Sequence, residues 1–90
     1  MINVHVTYDC KEKDNRDQFL KELKPIGKNV ESEPGNQGYH YYYDTEDEAI
    51  LFLWEQWENQ EYLDEHSKGD NVKMIGELKQ KYGVTSNIIK

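Results

Sequence analysis

The sequence predicts an α+β domain of ferredoxin-like plan, β-α-β-β-α-α-β, built on an antiparallel four-stranded sheet. Three observations point there. Residues 2–8 alternate between apolar and polar side chains with β-branched enrichment, residues 19–30 carry apolar side chains at helical spacing, and residues 39–43 are a strand-favouring aromatic run.

In the first strand Ile2, Val4, Val6 and Tyr8 point one way while Asn3, His5 and Thr7 point the other. Asp14 or Asn15 can cap the first helix, in which Phe19, Leu20, Leu23, Ile26 and Val30 share a face. Pro25 interrupts this stripe at a cost of about 3 kcal/mol, so a kink is expected near residues 21–25. The stripe continues beyond it, and the helix must end before Pro34 and Gly35. A turn at residues 35–38 leads into the tyrosine strand. Residues 49–57 are ambiguous. Ile50, Leu53, Trp54 and Trp57 fit a helix, yet the whole run also fits a strand buried on both faces, and the preceding acidic stretch makes a hairpin turn the favoured reading. Asn59 caps a short helix in which Tyr62, Leu63 and His66 share a face, ended by Gly69. Asp70 caps another with Met74, Ile75, Leu78 and Tyr82 at helical spacing, closed by Gly83, and residues 84–89 alternate weakly as a last strand.

Composition narrows the function. Ninety residues make one domain, residues 1–90, and a chain this short buries only roughly 60–65% of its unfolded surface, so its core is thin or is completed by a partner chain. Seven Tyr and two Trp against one Ala make large flat rings the main source of apolar volume. A net charge of −7 with a single arginine, Arg16, excludes a nucleic-acid partner, because phosphate neutralisation by basic groups supplies most of that affinity. The longest apolar run, residues 49–54, is far short of the roughly 20 residues that span a bilayer, and no signal peptide opens the chain. With Cys10 alone there is neither an internal disulfide nor a cysteine-based zinc site. A soluble cytoplasmic protein is expected.

Three stretches carry a more specific signal: Ser32-Glu33-Pro34-Gly35 followed by Tyr39, then Glu55-Gln56-Trp57-Glu58-Asn59, then Leu63-Asp64-Glu65-His66. With this order and spacing the chain resembles the antibiotic biosynthesis monooxygenase family, the small dimeric α+β-barrel proteins that include quinol monooxygenases and, more distantly, haem-degrading monooxygenases. The likeness covers roughly residues 15–72. It implies that residues 49–57 form a strand, and that two copies pack their sheets face to face as a barrel with the helices outside. It further implies a monooxygenase that needs neither flavin nor metal. A deprotonated phenol or hydroquinone can pass an electron to dioxygen itself, given a base, donors for the oxyanion and a water-poor aromatic pocket.

On this reading His66 is the candidate base, able to exchange protons near neutral pH, and otherwise a helix-end histidine bonded to the sheet. Asn3, on the polar face of the first strand, is the candidate oxyanion partner, expected to face a cavity between sheet and helices, and His5 on the same face is a candidate second proton acceptor and binding group, otherwise a partly exposed histidine. Trp57 and Tyr41 are candidate walls, and Glu55 a candidate binding group that otherwise caps or salt-bridges. Packing is the competing role for Tyr39, Tyr41 and Tyr43, which are expected to fill the barrel interior. Two alternatives to the monooxygenase stay open. One is a haem protein with His66 as axial ligand; the other is a non-catalytic dimeric small-ligand module, or an isomerase of small carbonyl signals. The chain lacks the second histidine that many relatives carry after the first, having Lys68-Gly69-Asp70-Asn71 there.

Overall fold

The N-terminal alternation becomes an inner strand. In the computed structural model, which describes residues 1–89, β1 (Ile2–Asp9) pairs antiparallel with β3 (Ile50–Trp57) on one side and β4 (Thr85–Ile89) on the other. Beyond β3 lies β2 (Asn36–Tyr43), giving the strand order β2-β3-β1-β4. Residues 50–57 are therefore a strand. Pairing on both sides satisfies their backbone, and the alternating apolar residues serve both faces of the sheet.

Three helices, α1 (Lys13–Glu31), α2 (Gln60–Ser67) and α3 (Asp70–Tyr82), cover one face. The stripe of α1 is buried throughout, with Phe19, Leu23 and Val30 fully so, and meets Val6, Tyr8, Leu51 and Leu53 from the sheet in one core. Each such side chain contributes about 1.5–3 kcal/mol. That burial carries the helix through Pro25, because Ile26, Gly27 and Val30 beyond the proline are all buried.

Several boundaries differ from the expectation. The residue preceding α1 is Glu12, which makes no side-chain cap; Asn15 instead donates to the carbonyls of Cys10 (2.8 Å) and Tyr82 (2.7 Å), tying the end of β1 to the end of α3. Asn59 does cap α2, accepting from the Tyr62 N–H, whereas the cap of α3 is Gly69. Gly83 closes α3 in the left-handed conformation. β2 begins at Asn36 rather than Tyr39, with a bulge between Asn36 and Gly38.

The tyrosines also face otherwise than expected. Tyr39, Tyr41 and Tyr43 pair with Glu55, Leu53 and Leu51, whose side chains lie on the helix side of the sheet, so they pack under α1 and do not fill a barrel interior. Gly27 makes the room: a Cβ there would collide with the Tyr41 hydroxyl and press on the Tyr39 ring. Tyr43 receives the guanidinium of buried Arg16, 3.9 Å from its ring centre. The opposite face is open. It presents Asn3, His5, His40, Tyr42, Phe52, Trp54 and Gln56, with Tyr42 48% and Phe52 36% exposed.

The Glu-Pro-Gly motif is the joint between α1 and β2. Pro34 and Gly35 occupy the two central positions of a turn closed by the Asn36 N–H donating to the Glu33 carbonyl (3.2 Å), and Gly35 has φ +83°. These are the marks of a type II turn. The Tyr62 ring lies directly over Gly35 Cα, where a Cβ would go. Gly35→Ala is thus expected to lose about 2–4 kcal/mol, from backbone strain and overpacking together, read by thermal denaturation. An unchanged midpoint would refute this account of the motif.

Candidate functional site

Between the sheet and the α2–α3 pair lies a cavity of about 250 Å³. Its floor is the helix-side face of β1, Val4, Val6 and Tyr8, with Tyr39 and Glu55 beside them; its roof comes from Leu63, His66, Val72 and Ile75. The lining is largely apolar, and its polar groups gather at two places.

The first centres on His66, which the amphipathic spacing of α2 turns inward beside Leu63; both are buried. Nδ1 of its ring lies 3.0 and 3.1 Å from the two carboxylate oxygens of Glu33, and the Asn71 amide donates to the same carboxylate at 2.9 Å. A carboxylate only accepts, so Nδ1 carries the proton and Nε2 is left on the side of Glu55, whose Oε1 is 3.5 Å away. Glu55 is held in turn by the Trp57 indole N–H, which donates to it at 3.1 Å. Trp57 is fully buried, and its ring centre lies 4.5 Å from that of His66. The Glu-x-Trp and Leu-x-x-His segments and the Glu of Glu-Pro-Gly thus converge on one imidazole.

Burial shifts the acidities around it. Desolvation is the main cause that holds the Glu55 carboxyl above the usual carboxylate range, opposed by the Trp57 hydrogen bond and the charge of His66 and reinforced by Glu33. Burial likewise pushes the hydroxyls of Tyr8 and Tyr39 up, with Glu55 adding to the effect in both, so they stay protonated and able to donate. The folded state therefore holds the Glu55 proton more firmly than the unfolded chain, and stability declines as pH rises from about 4.3. Glu55→Gln keeps an acceptor for Trp57 and removes the buried charge. It is expected to melt higher than the parent at pH 7, the gap closing below about pH 4. A lower melting point at pH 7 would mean that the pairing with His66 outweighs the burial.

The candidate residues divide between the two faces. His66 and Glu55 line the cavity together, and Trp57 packs behind them. Asn3 and His5 do not join them. The helices cover the apolar face of β1, so the cavity faces that side and the polar face points away from it: Asn3 accepts from Trp54 (3.0 Å) and Gln56 (3.4 Å), and His5 stacks on Trp54. Tyr41 lies against Gly27, outside the cavity. Sequence reasoning passed over Glu33 as an acting group and chose Tyr41 where Tyr8 and Tyr39 line the wall. Tyr8 was legible as the last apolar-face residue of the first strand; Glu33 was not, because it reaches His66 only through the type II turn.

Among the described residues no group of three or more His, Cys, Asp or Glu side chains is arranged to hold a metal ion. Both ring nitrogens of His66 face carboxylates, Glu33 and Glu55, and the cavity is small beside pockets that take drug-sized ligands. Cys10 is fully buried, and its thiol is pushed up to about 11, mainly by burial, which keeps it from acting as a nucleophile. Among the described residues no helix is long and apolar enough to cross a membrane.

Residues 1–77 match the family model described as antibiotic biosynthesis monooxygenase. Solved structures show the same fold. A conserved protein of unknown function from Bacteroides thetaiotaomicron superposes with a TM-score of 0.85 at 17% identity, over 97% of this chain and 90% of the other. A candidate antibiotic biosynthesis monooxygenase from Deinococcus radiodurans gives 0.83 at 18% identity, over 100% and 91%. A conserved protein from Methanosarcina mazei gives 0.78 at 23%, over 100% and 93%. No curated protein matches the sequence.

Proposed function

Because this chain belongs to the antibiotic biosynthesis monooxygenase family, we propose that it is a cofactor-independent monooxygenase of quinol-like or other electron-rich aromatic small molecules, with His66 as the proton acceptor. The observation that carries this reading is the row Glu33–His66–Glu55, with His66 and Glu55 buried, opening on a largely apolar cavity. Glu33 holds the proton on Nδ1 and so directs the basic Nε2 towards the cavity side, where Glu55 stands ready to share what Nε2 takes up. The phenolate formed there meets the hydroxyls of Tyr8 and Tyr39 as donors, the part first given to Asn3. The electron-rich anion then reduces dioxygen. For a hydroquinone the balance is one substrate and one O₂ to one hydroxyquinone and one water, with all four electrons drawn from the organic substrate and one oxygen atom kept in the product.

Oxygen uptake with a panel of hydroquinones tests this, with His66→Ala as the control. Consumption by the parent and its loss in the variant are expected. If no hydroquinone is consumed, or the variant keeps pace, the chemistry fails and a small-ligand binding module takes its place. Haem binding is the weaker alternative on the geometry of His66; a Soret band equal to that of free haemin is expected.

The same reading includes a homodimer closed through the open face of the sheet. Tyr42, Phe52 and Trp54 are a set of large rings with no cover of their own, on a sheet that needs something on both faces. A solution mass of twice the 10.7 kDa chain is expected, reduced to one chain by Phe52→Glu. A single-chain mass for the parent would contradict it.

A further inference from the structure

The second polar place in the cavity is at the end away from His66, and it holds a cation. Lys79, half-buried on α3, is the only lysine or arginine on the cavity wall among the described residues, and its ammonium donates to the Ser86 hydroxyl at 2.5 Å. Among the described residues it makes no ion pair with a carboxylate, although the chain has 18 acidic residues. One hydroxyl uses one of its three donors.

The sheet register measures how far this cation stands from the acid–base row. Glu55 lies opposite Val4 on one side of β1, and Ser86 lies opposite Tyr8 on the other. Four residues of strand separate those levels by about 13 Å along β1, and the two strand spacings between β3 and β4 add about 10 Å across it, so the backbones at the two ends stand about 16 Å apart. A hydrogen bond of about 2.8 Å at each end, and the reach of the side chains into the gap, leave at most about 10 Å between the two polar atoms of a molecule that touches both. One aromatic ring with a short chain spans that distance, and a cavity of about 250 Å³ has room for little more. Charge fixes the direction. An anionic group is repelled at the Glu33 and Glu55 end and drawn to Lys79, which leaves the ring hydroxyl facing His66.

Resting on the monooxygenase reading for the role of His66, we propose that the substrate is a single-ring phenol or hydroquinone bearing a carboxylate on a short chain, and that Lys79 with Ser86 is the subsite that binds the carboxylate. Lys79 selects the substrate and orients it; it takes no part in the proton transfer.

The probes are a dihydroxyphenylpropionate with a hydroquinone ring and its uncharged amide, titrated anaerobically by calorimetry so that binding is read apart from turnover. The parent is expected to bind the acid about tenfold more tightly than the amide, the usual scale for a charge-assisted hydrogen bond. Lys79→Met is expected to erase that preference, weakening the acid about tenfold more than the amide, and Lys79→Arg to restore most of it. Equal affinity of the parent for acid and amide, no binding of either, or a preference that survives Lys79→Met would overturn the proposal. Preferential binding of the acid without oxygen uptake would sink the monooxygenase reading and leave the carboxylate subsite standing.

Discussion

Alanine in place of Trp57 is expected to cost about 3–5 kcal/mol, a large part of the roughly 5–13 kcal/mol available to a chain of this length. The indole is fully buried at the end of β3, where it closes the core beneath α2 and lies against the His66 ring. Its removal leaves a cavity and also leaves the buried Glu55 carboxyl without its N–H donor. Trp57→Phe separates the two losses. It keeps most of the apolar volume, so the deficit that persists reports the orphaned carboxyl, and combining it with Glu55→Gln is expected to recover part of that deficit. Thermal denaturation of the four proteins decides the matter. A Trp57→Ala protein that melts near the parent would remove Trp57 from the core account.

For turnover the largest effect is expected at His66. Its alanine variant should lose about 100- to 10,000-fold in kcat, the usual worth of a positioned proton acceptor, while the fold survives because α2 keeps Leu63 in the core. Glu33→Gln tests the same machinery from one step back. Glu33 touches the imidazole and not the cavity, so it is a positioning residue, and the amide can still accept from Nδ1. What the variant lacks is the negative charge beside the imidazole. A smaller loss in kcat than at His66 is expected, with KM little changed. A Glu33→Gln enzyme with parental kcat would make Glu33 purely structural, and a His66→Ala enzyme with parental kcat would place the base elsewhere.

How far the sequence reaches differs from element to element. The strand at residues 2–9 and the helix stripe from Phe19 to Val30 were legible because each is a local periodicity that one buried face enforces. The helix continued through Pro25 because apolar residues beyond the proline rewarded it. Residues 50–57 could not be settled by pattern, since a strand flanked on both sides and apolar on both faces loses the alternation that identifies strands.

His66 and Glu55 were legible as candidate site residues, and their meeting on one cavity follows from the motif spacing together with the fold. Asn3 shows the limit. A polar residue on an alternating strand has one of two faces to point to, and only the position of the helices says which of them carries the cavity. Tyr41 was misplaced for a similar reason, as its hydroxyl fills the space above a helix glycine that sequence does not link to it.

By itself, then, the chain of 90 residues determined its first strand, the inward stripe of its first helix and the residue types of the candidate site. Those are properties of neighbours within one or two turns, where backbone periodicity fixes direction. The tertiary structure decided which face of the sheet is covered, that Glu33 closes on His66 across a type II turn, and that Lys79 stands at the far end of the same cavity. Each of these joins residues distant in sequence, whose approach is set by the packing of helices on a sheet and by no local preference.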